Sequence, residues 1–335
     1  MISTILVKRS LYFVFFIAVL LLFSIFTNHK PNKAFIHGQT MGTTYSITIL
    51  DYIKNKNLLE IEINKLLINI NDIFSTYIDS SEISIVNDLE KTTISEEFSH
   101  VLNKALYYCK ISNGSYDITI APLVELWGFS DFTEKTIPSQ KIIDEILSKI
   151  GYENLKVSGT ELNKEKYIKI DLNSIAKGYA VDKIALLLDS MNYRDYLIEV
   201  GGEIRASGNN NNDSWIIGIQ HPVESSIVKK IKLDNLSMAT SGTYNNYFTI
   251  NNIDYSHILN PKTGYPFEYN SVSSTIIAKN CIDADAYATV AMTQNPVEII
   301  SLINKSPNVE GYIIQIKDNK LVEYKSLGFE NLIVF

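Results

Sequence analysis

Cysteine is scarce in this chain, and runs of basic residues are absent. Only two cysteines, Cys109 and Cys281, occur in 335 residues, and their wide separation is unlike the spacing of a metal-binding pair. We interpret both as small buried apolar residues, with a disulfide between them as the open alternative. The net charge is −7 and the pI is about 5.4. A general nucleic-acid binder needs a basic face, so this composition excludes that class.

Internal repeats and flexible linkers are also missing. No segment rich in Pro, Gly or Ser divides the chain, and 46% of its residues are hydrophobic, which is enough for a core. We therefore predict one mixed α/β unit over residues 31–335, preceded by a separate segment over residues 1–30.

The N-terminal segment has the pattern of a membrane anchor. Lys8 and Arg9 precede an almost unbroken apolar run over residues 11–26, which is near the lower length limit of a spanning helix. No small-x-small cleavage site follows, and no nearby cysteine could carry a lipid. We predict an uncleaved signal anchor, with a cleaved signal peptide as the alternative. The positive-inside rule then places the chain at the cell inner membrane, with residues 31–335 on the periplasmic, extracytoplasmic side.

Hydrophobic periodicity predicts an α+β fold with a largely antiparallel sheet and flanking helices. Asn173 or Ser174 is the predicted N-cap of a central helix, residues 238–244 read as a turn of small residues, and residues 115–129 as a pocket wall. Strands are predicted at 43–50, 167–172, 196–200, 203–207, 215–220, 227–233, 244–250, 271–278, 311–316 and 320–324, and helices at 58–74, 98–112, 175–190, 283–292 and 296–304.

Two segments in the last third carry candidate chemistry. HILNPKTGYP, residues 257–266, places His257 in a run closed by Asn-Pro and Thr-Gly, which predicts a tight loop. In ADAYAT, residues 284–289, Asp285 and Thr289 stand four residues apart on a predicted helix and share one face. A carboxylate and a hydroxyl are the hard oxygen ligands that Mg²⁺ prefers. Taken alone, His257 is more often a structural histidine, and Asp285 an early helix residue favoured by the dipole.

The start of the central helix is a second candidate, for binding phosphate. A helix N-terminus offers free N–H groups and a positive dipole end, and Lys177 adds a cation that could meet a pyrophosphate. Gly201 and Gly202 join two predicted strands where glycine permits a close backbone approach. A purely structural turn is the alternative reading for these two glycines.

Taken together, the motifs resemble the ApbE family of FAD:protein FMN transferases from about residue 35 to the C-terminus. The order and spacing match for MGTTYSI from Met41, DLNSIAKGYAVD from Asp171, EVGGEIRASG from Glu199, ATSGTY from Ala239, HILNPKTGYP from His257 and ADAYAT from Ala284. Six motifs in register are specific, whereas each alone is weak. Lys262 replaces a frequent arginine of the family, and Thr243 a frequent acidic residue.

This resemblance implies a T-fold-like domain and a Mg²⁺-dependent flavin transferase. Such an enzyme splits FAD, releases AMP and joins FMN through a phosphoester to a Thr or Ser of an acceptor flavoprotein. The acceptors in the family are subunits of membrane redox complexes and carry a motif like DxxTGAT. The alternatives are an FAD pyrophosphatase, which forms FMN and AMP, and a non-catalytic FAD-binding protein.

The resemblance also assigns roles to residues of this sequence. His257 is the candidate that manages the acceptor proton, and Asp285 is catalytic through the metal. Tyr77 is expected to stack on the isoalloxazine, with a place in the core as the alternative. The implied FAD-site residues are Met41, Tyr77, Ser115, Tyr116, Asp117, Asp171, Lys177, His257 and Leu259, and the implied metal ligands are Ser174, Asp285 and Thr289.

Overall fold

The structure is a computed structural model that describes residues 33–129, 135–243, 247–251, 253–267, 271–318 and 320–334. The predicted signal anchor, residues 1–30, lies outside the described residues. Within these ranges, no helix combines the length and the apolar character needed to cross a membrane.

An eight-stranded sheet forms the centre of the fold, and every described pairing in it is antiparallel. Its order is β1-β2-β6-β7-β10-β13-β14-β15, while β8, β9 and β16 form a second sheet, β3, β4 and β5 a third, and β11 and β12 a hairpin. The strands are β1 Ala34–Thr40, β2 Thr43–Ile49, β3 Lys91–Thr93, β4 Lys156–Ser158, β5 Glu161–Asn163, β6 Tyr196–Val200, β7 Glu203–Ser207, β8 Trp215–Gln220, β9 Ile227–Leu233, β10 Ser237–Gly242, β11 Tyr247–Ile250, β12 Ile253–Ser256, β13 Ser271–Ala278, β14 Glu310–Lys317, β15 Lys320–Lys325 and β16 Ile333–Val334.

Several helices begin at a side-chain N-cap. Asn55, Ser81 and Ser95 each accept a hydrogen bond from a backbone N–H of the first turn that follows, which satisfies one donor that the helix cannot. The helices are α1 Lys56–Phe74, α2 Glu82–Asp88, α3 Glu96–Ile111, α4 Ala121–Leu126, α5 Gln140–Leu147, α6 Asn173–Ser190, α7 Cys281–Met292 and α8 Pro296–Ile303.

The sheet buries both of its faces. On one face, α1, α3, α6 and α7 pack over residues such as Ile198 and Ile276. On the other face, the β8–β9–β16 sheet covers residues such as Ala206 and Ile277. Because α6 and α7 lie between the sheet and the outer helices, nearly every position of α7 is buried. Both helices of the candidate site are therefore part of the rigid core.

The hairpins give the main sheet two distinct ends. The turns at Met41–Gly42 and Gly201–Gly202 lie side by side, because Tyr45 pairs with Val200 and the Gly201 N–H donates to the Thr44 carbonyl at 3.0 Å. All four turn residues have positive φ, from 50° to 102°, which explains the glycines. We call this the turn end.

The opposite end of the sheet is where the described chain begins. A row of paired residues runs across it, from Ala34 to Ile49, from Ile49 to Tyr196, and from Tyr196 to Ser207. We call this the entry end. Seven residues of β1 separate the two ends, a distance of about 23 Å.

Most predicted elements are confirmed, with ends shifted by a few residues. The Gly201–Gly202 junction joins an antiparallel pair, and the β14–β15 hairpin turns at Asp318 as predicted. The strand predicted at 244–250 is described as β11 from Tyr247, since residues 244–246 lie outside the described residues. Cys109 and Cys281 are both buried and free, so the disulfide alternative is wrong.

Three predictions of local structure are wrong. Residues 167–172 form no strand, because the side chain of Asn87 pairs with the backbone of Ile170 in place of a neighbouring strand. The central helix begins at Asn173, and its cap position is Leu172 with no side-chain cap. Instead, Asp171 Oδ1 accepts the Asn173 N–H at 2.7 Å.

The third wrong prediction is the turn at residues 238–244. Residues Ser237–Gly242 form β10, a central strand paired with β7 and β13. Their small side chains lie beneath α7, so the segment needs small residues for helix packing and not for turning. The sequence pattern also missed β1, the short sheet of β3–β5, strand β12 and helices α2, α4 and α5.

Candidate active site

The candidate site is built on a close contact between α6 and α7. A Cβ on Gly178 would lie 2.4 Å from the Cys281 carbonyl oxygen and 2.7 Å from Asp285 Cβ, so only glycine fits there. The Gly178 N–H donates to Asp285 Oδ2 at 2.8 Å. One turn further along α6, the Asp182 carboxylate accepts the N–H groups of Cys281 and Ile282, each at 2.9 Å. The two helices are therefore antiparallel, and we call their contact the seam.

The register of the seam brings the predicted metal ligands together. Asp182 lies opposite the start of α7, and Gly178 lies opposite Asp285. One turn further in the same direction, towards the start of α6 and the end of α7, Ser174 is level with Thr289. Ser174 Oγ is 2.8 Å from the Tyr116 hydroxyl, and Thr289 Oγ1 is 3.2 Å from Ser241 Oγ. At this end, the seam thus presents the Asp285 carboxylate among hydroxyl groups.

Beside the seam lies a cluster of two buried carboxylates and one half-buried ammonium. Lys177 Nζ donates to Glu203 Oε1 at 2.6 Å, whereas Glu203 Oε2 is buried and has no hydrogen-bond partner among the described residues. Lys177 is therefore ion-paired here and not the free cation that the sequence suggested. Asp285 is buried, and beyond the Gly178 N–H it accepts no hydrogen bond from any described residue.

Burial controls the protonation of this cluster. Burial raises the pKa of Asp285, and burial together with the charge of Asp285 raises the pKa of Glu203. Burial alone would lower the pKa of Lys177, but Asp285 and Glu203 outweigh it and raise that pKa. With both carboxylates ionised, the cluster carries a net negative charge. A bound cation would neutralise this charge and stabilise the ionised carboxylates.

The donor chemistry of the seam fits a hard divalent cation. Asp285 supplies a carboxylate oxygen, Ser174 and Thr289 supply hydroxyl oxygens, and Glu203 contributes a nearby unpartnered oxygen. Mg²⁺ prefers such oxygen ligands and keeps open positions for water and substrate phosphate. No group of three His, Cys, Asp or Glu side chains suited to a metal occurs among the described residues, so hydroxyl groups would have to take part here.

The segment from Ser115 to Asp117 is held next to the seam. Tyr116 is buried, and besides burial and Cys109, the charges of Asp285 and Asp171 raise the pKa of its hydroxyl. Ser115 Oγ is 2.9 Å from the hydroxyl of Thr293 at the end of α7. The predicted residues of this segment therefore do lie at the site.

Within that segment, Asp117 faces inward. Its Oδ1 accepts hydrogen bonds from the backbone and hydroxyl of Thr119, and its Oδ2 accepts the Tyr152 N–H at 3.0 Å. Burial raises the pKa of this carboxyl. Asp117 thus uses both oxygens to shape the loop, and its predicted contact with FAD stays a prediction.

The predicted histidine loop exists and is pinned by an aromatic cluster. Leu259 pairs with Pro266 across the loop, and Trp127 Nε1 donates to the Gly264 carbonyl at 2.8 Å. The side chain of Leu259 is buried in this cluster. The His257 ring lies edge-on to Phe129, with 6.3 Å between centroids. The structure therefore places His257 beside the aromatic cluster.

The loop also approaches the Ser115 segment. Lys262 Cε is 4.0 Å from the position that a Cβ on Gly114 would occupy, and Tyr152 Cε1 is 3.3 Å from it. Gly114 has φ +71° and immediately precedes Ser115. The side chain of Lys262, from the histidine loop, thus lies next to Gly114 at the start of the segment beside the seam.

Met41 lies in a turn of the turn end, and Tyr77 follows the end of α1. Met41 lines a cavity of about 530 Å³ together with Thr43, Asn64 and Asn71. A Cβ built on Gly201 would contact the side chain of Thr43 and would lie 3.3 Å from Lys177 Cδ. The cavity is therefore close to Lys177. Tyr77 is 78% exposed, so the core alternative is wrong. Its predicted contact with FAD stays a prediction.

Sequence reasoning missed two members of the site. Glu203 follows the Gly201–Gly202 turn at an inward position of β7. A charged residue at a strand position that faces the core is rare, and it could have indicated a functional role. Ser241 lies in the segment that was misread as a turn. Its hydroxyl contacts Thr289 only because that segment is a strand beneath α7.

Comparisons with known proteins agree with this architecture. The ApbE family model matches residues 41–313. The FAD:protein FMN transferase of Haemophilus influenzae is 33% identical over 94% of this chain and 96% of its own, and that of Vibrio cholerae is 33% identical over 90% and 93%. The solved structure of the flavin transferase ApbE from Vibrio cholerae has a TM-score of 0.83 at 32% identity, covering 90% of this chain and 99% of that one.

A second solved structure, the apo form of the flavinyl transferase ApbE from Pseudomonas stutzeri, has a TM-score of 0.83 at 27% identity, covering 91% and 98%. The fold described above is therefore shared with these flavin transferases over about nine-tenths of this chain. The chain belongs to the ApbE family. It is an enzyme of the transferase class, as its motifs predict.

Proposed function

We propose that this enzyme transfers FMN from FAD to a Thr or Ser hydroxyl of an acceptor flavoprotein, with Mg²⁺ bound and AMP released. The observation that carries the proposal is the seam, where the close contact at Gly178 places Asp285 one helical turn from the level of Ser174 and Thr289. A non-catalytic FAD-binding protein would gain nothing from keeping a charged carboxylate buried among hydroxyl groups.

The reaction needs little covalent work from the protein. The acceptor oxygen forms a bond to the FMN phosphorus of FAD, the bond from that phosphorus to the AMP oxygen breaks, and the hydroxyl proton leaves to a base. Mg²⁺ held by Asp285, Ser174 and Thr289 would neutralise charge on the pyrophosphate. Lys177 offers a further positive charge from the first turn of α6, and Glu203 keeps its side chain in place.

His257 is the base in this proposal. Its loop is pinned to Trp127 and lies near the Ser115 segment, and an imidazole titrates near neutral pH. We expect His257→Ala to lower kcat by ~100- to 10,000-fold while FAD still binds, since general base catalysis contributes about that much. Single-turnover kinetics with FAD binding as the control measures it. Unchanged kcat in this variant would rule out His257 as the base.

The overall activity is tested by the mass of the acceptor. The full chain is incubated with FAD, Mg²⁺ and an acceptor domain that carries a DxxTGAT-like motif. Added FMN mass on the acceptor together with free AMP supports the transferase. Free FMN and AMP with an unmodified acceptor would instead indicate the pyrophosphatase. Bound FAD without turnover would exclude both enzymes.

We also propose a location and a partner class for this reaction. The apolar run at residues 11–26 would anchor the enzyme in the cell inner membrane, with the catalytic domain on the periplasmic side. Its acceptor would be a flavin-carrying subunit of a membrane redox complex. Fractionation of cells, followed by protease treatment of intact spheroplasts, tests the location. Protection of the domain from protease would contradict it.

A further inference from the structure

The entry end of the sheet exposes an unusual set of apolar side chains. Phe35 in β1 is 54% exposed, Ile61 in α1 is 60% exposed, and Tyr52 and Leu58 are each half-exposed. Single exposed apolar residues are ordinary, but several at one end of a molecule mark an interaction surface. We call these four residues the entry-end surface.

The topology explains why these residues share one end. Phe35 is the second residue of β1, Tyr52 follows the end of β2, and Leu58 lies in the first turn of α1. Ala34 pairs with Ile49, so the start of β1, the end of β2 and the loop that leads to α1 are neighbours. Ile61 lies one turn after Leu58 on the same helix.

Basic side chains flank this surface. Lys33 Nζ lies 4.8 Å from the centre of the Phe35 ring, and Lys54 is exposed beside Tyr52. Lys56 is also exposed, but it pairs with Glu60 at 3.2 Å. The carboxylate of Asp51, which is also nearby, accepts the backbone N–H groups of Arg194 and Asp195. It is therefore turned away from this surface. Exposed apolar and aromatic side chains next to lysine, as Phe35 and Tyr52 are here, are the composition of a lipid-interface contact.

The chain outside the described structure points to the occupant. Residues 27–32 separate the apolar run from Lys33, and a segment of that length spans at most about 20 Å. If the run is the anchor proposed above, β1 must start within that distance of the bilayer. The entry end is then the part of the domain nearest to the lipid.

We propose that the entry-end surface rests on the lipid bilayer and holds the enzyme with its turn end directed away from the membrane. This inference depends on the proposed anchor. The Gly201–Gly202 turn and Lys177 lie at the turn end, so the site would stand about 20 Å or more above the lipid surface. An acceptor must then present its hydroxyl at that height, which suits a domain that projects from a membrane complex.

Depth-dependent quenching tests this orientation. The full chain is inserted into vesicles of phosphatidylethanolamine and phosphatidylglycerol with brominated acyl chains. Phe35→Cys and Ile61→Cys carry an environment-sensitive fluorophore, and the native cysteines are buried. Val223→Cys is the matched control, because Val223 is exposed and lines a cavity with Thr243 near the turn end.

We expect the labels at positions 35 and 61 to lose most of their fluorescence and the label at 223 to lose little. Leu58→Ser combined with Ile61→Ser should restore most of the fluorescence of the label at position 35, whereas Val223→Ser should not. Quenching at 35 and 61 no greater than at 223 overturns the proposal. A blue shift at position 61 that rises with protein concentration and is not quenched by lipid would also overturn it, in favour of a second copy.

FMN transfer to a soluble acceptor domain is measured on the same labelled chains. Transfer without preferential quenching would contradict the orientation and leave the proposed function intact. Quenching without transfer would contradict the proposed function and leave the orientation intact.

Discussion

At the scale of single residues, Asp285 is the side chain on which the proposed chemistry depends. It is buried, one of its oxygens is held by the Gly178 N–H, and Lys177 and Glu203 are its charged neighbours. Burying an ionised carboxylate in this setting lowers the free energy of unfolding unless a cation binds to the carboxylate. Activity and stability should therefore respond to its removal in opposite directions.

We expect Asp285→Asn to lower FMN transfer by at least ~1,000-fold, because metal neutralisation of phosphate charge contributes several kcal/mol. The amide oxygen can still accept the Gly178 N–H. Without Mg²⁺ the variant should be as stable as the wild type or more stable, by up to about 3 kcal/mol at pH 7. Denaturant unfolding measures this. A clear loss of stability would show that Asp285 is chiefly structural.

The pH dependence of stability follows from the same residue. Burial raises the pKa of Asp285 to about 6, above the value of ~3.9 in an unfolded chain. A raised pKa means that the contribution to stability is present below about pH 4 and is lost as the pH rises through about 6. In Mg²⁺-free buffer, the advantage of Asp285→Asn over the wild type should widen between pH 4 and pH 7. A constant difference would contradict the raised pKa.

At the scale of elements, the contact between α6 and α7 sets the geometry of the site. Glycine at position 178 lets the two helices approach until the backbone of one meets the Asp285 side chain of the other. Asp182 fixes the register from the other side by binding the start of α7. The alignment of Ser174 with Thr289 is thus a consequence of helix packing.

Gly178→Ala should separate the helices, because its Cβ would meet the Cys281 carbonyl oxygen at 2.4 Å. We expect a loss of about 1–3 kcal/mol in the free energy of unfolding and a weaker response of activity to Mg²⁺. Leu186→Ala, at an exposed position of the same helix, is the control and should change stability by less than about 1 kcal/mol. Equal effects of the two substitutions would argue against the close contact.

Elements with local sequence signals could be predicted from the sequence alone, whereas elements that depend on distant residues could not. Helices with clear apolar periodicity were predictable, and so were strands bounded by Gly201–Gly202 or Asp318, because these signals are local. Residues 167–172 and 238–244 were misread, because their structure depends on Asn87 and on α7, which are distant in sequence. Similarly, the pairing of Lys177 with Glu203 depends on the arrangement of β7 and α6.

At the scale of the whole molecule, the site and the entry end lie at opposite ends of the same sheet. The motif residues converge because β2, β6 and α6 all bring a turn or a helix start to the turn end. The order of the six motifs along the sequence predicted that they belong together. It did not reveal that Asp117 supports a loop, or that Tyr77 lies exposed.

The central claim is that the seam between α6 and α7 holds the divalent cation used in FMN transfer. Calorimetric titration of Mg²⁺ into the full chain with FAD, compared with Asp285→Asn and Thr289→Val, tests it most directly. We predict that Asp285→Asn weakens Mg²⁺ binding by at least ~100-fold and Thr289→Val by ~10-fold or more, because each removes an oxygen ligand. Wild-type affinity for Mg²⁺ in Asp285→Asn would contradict the account.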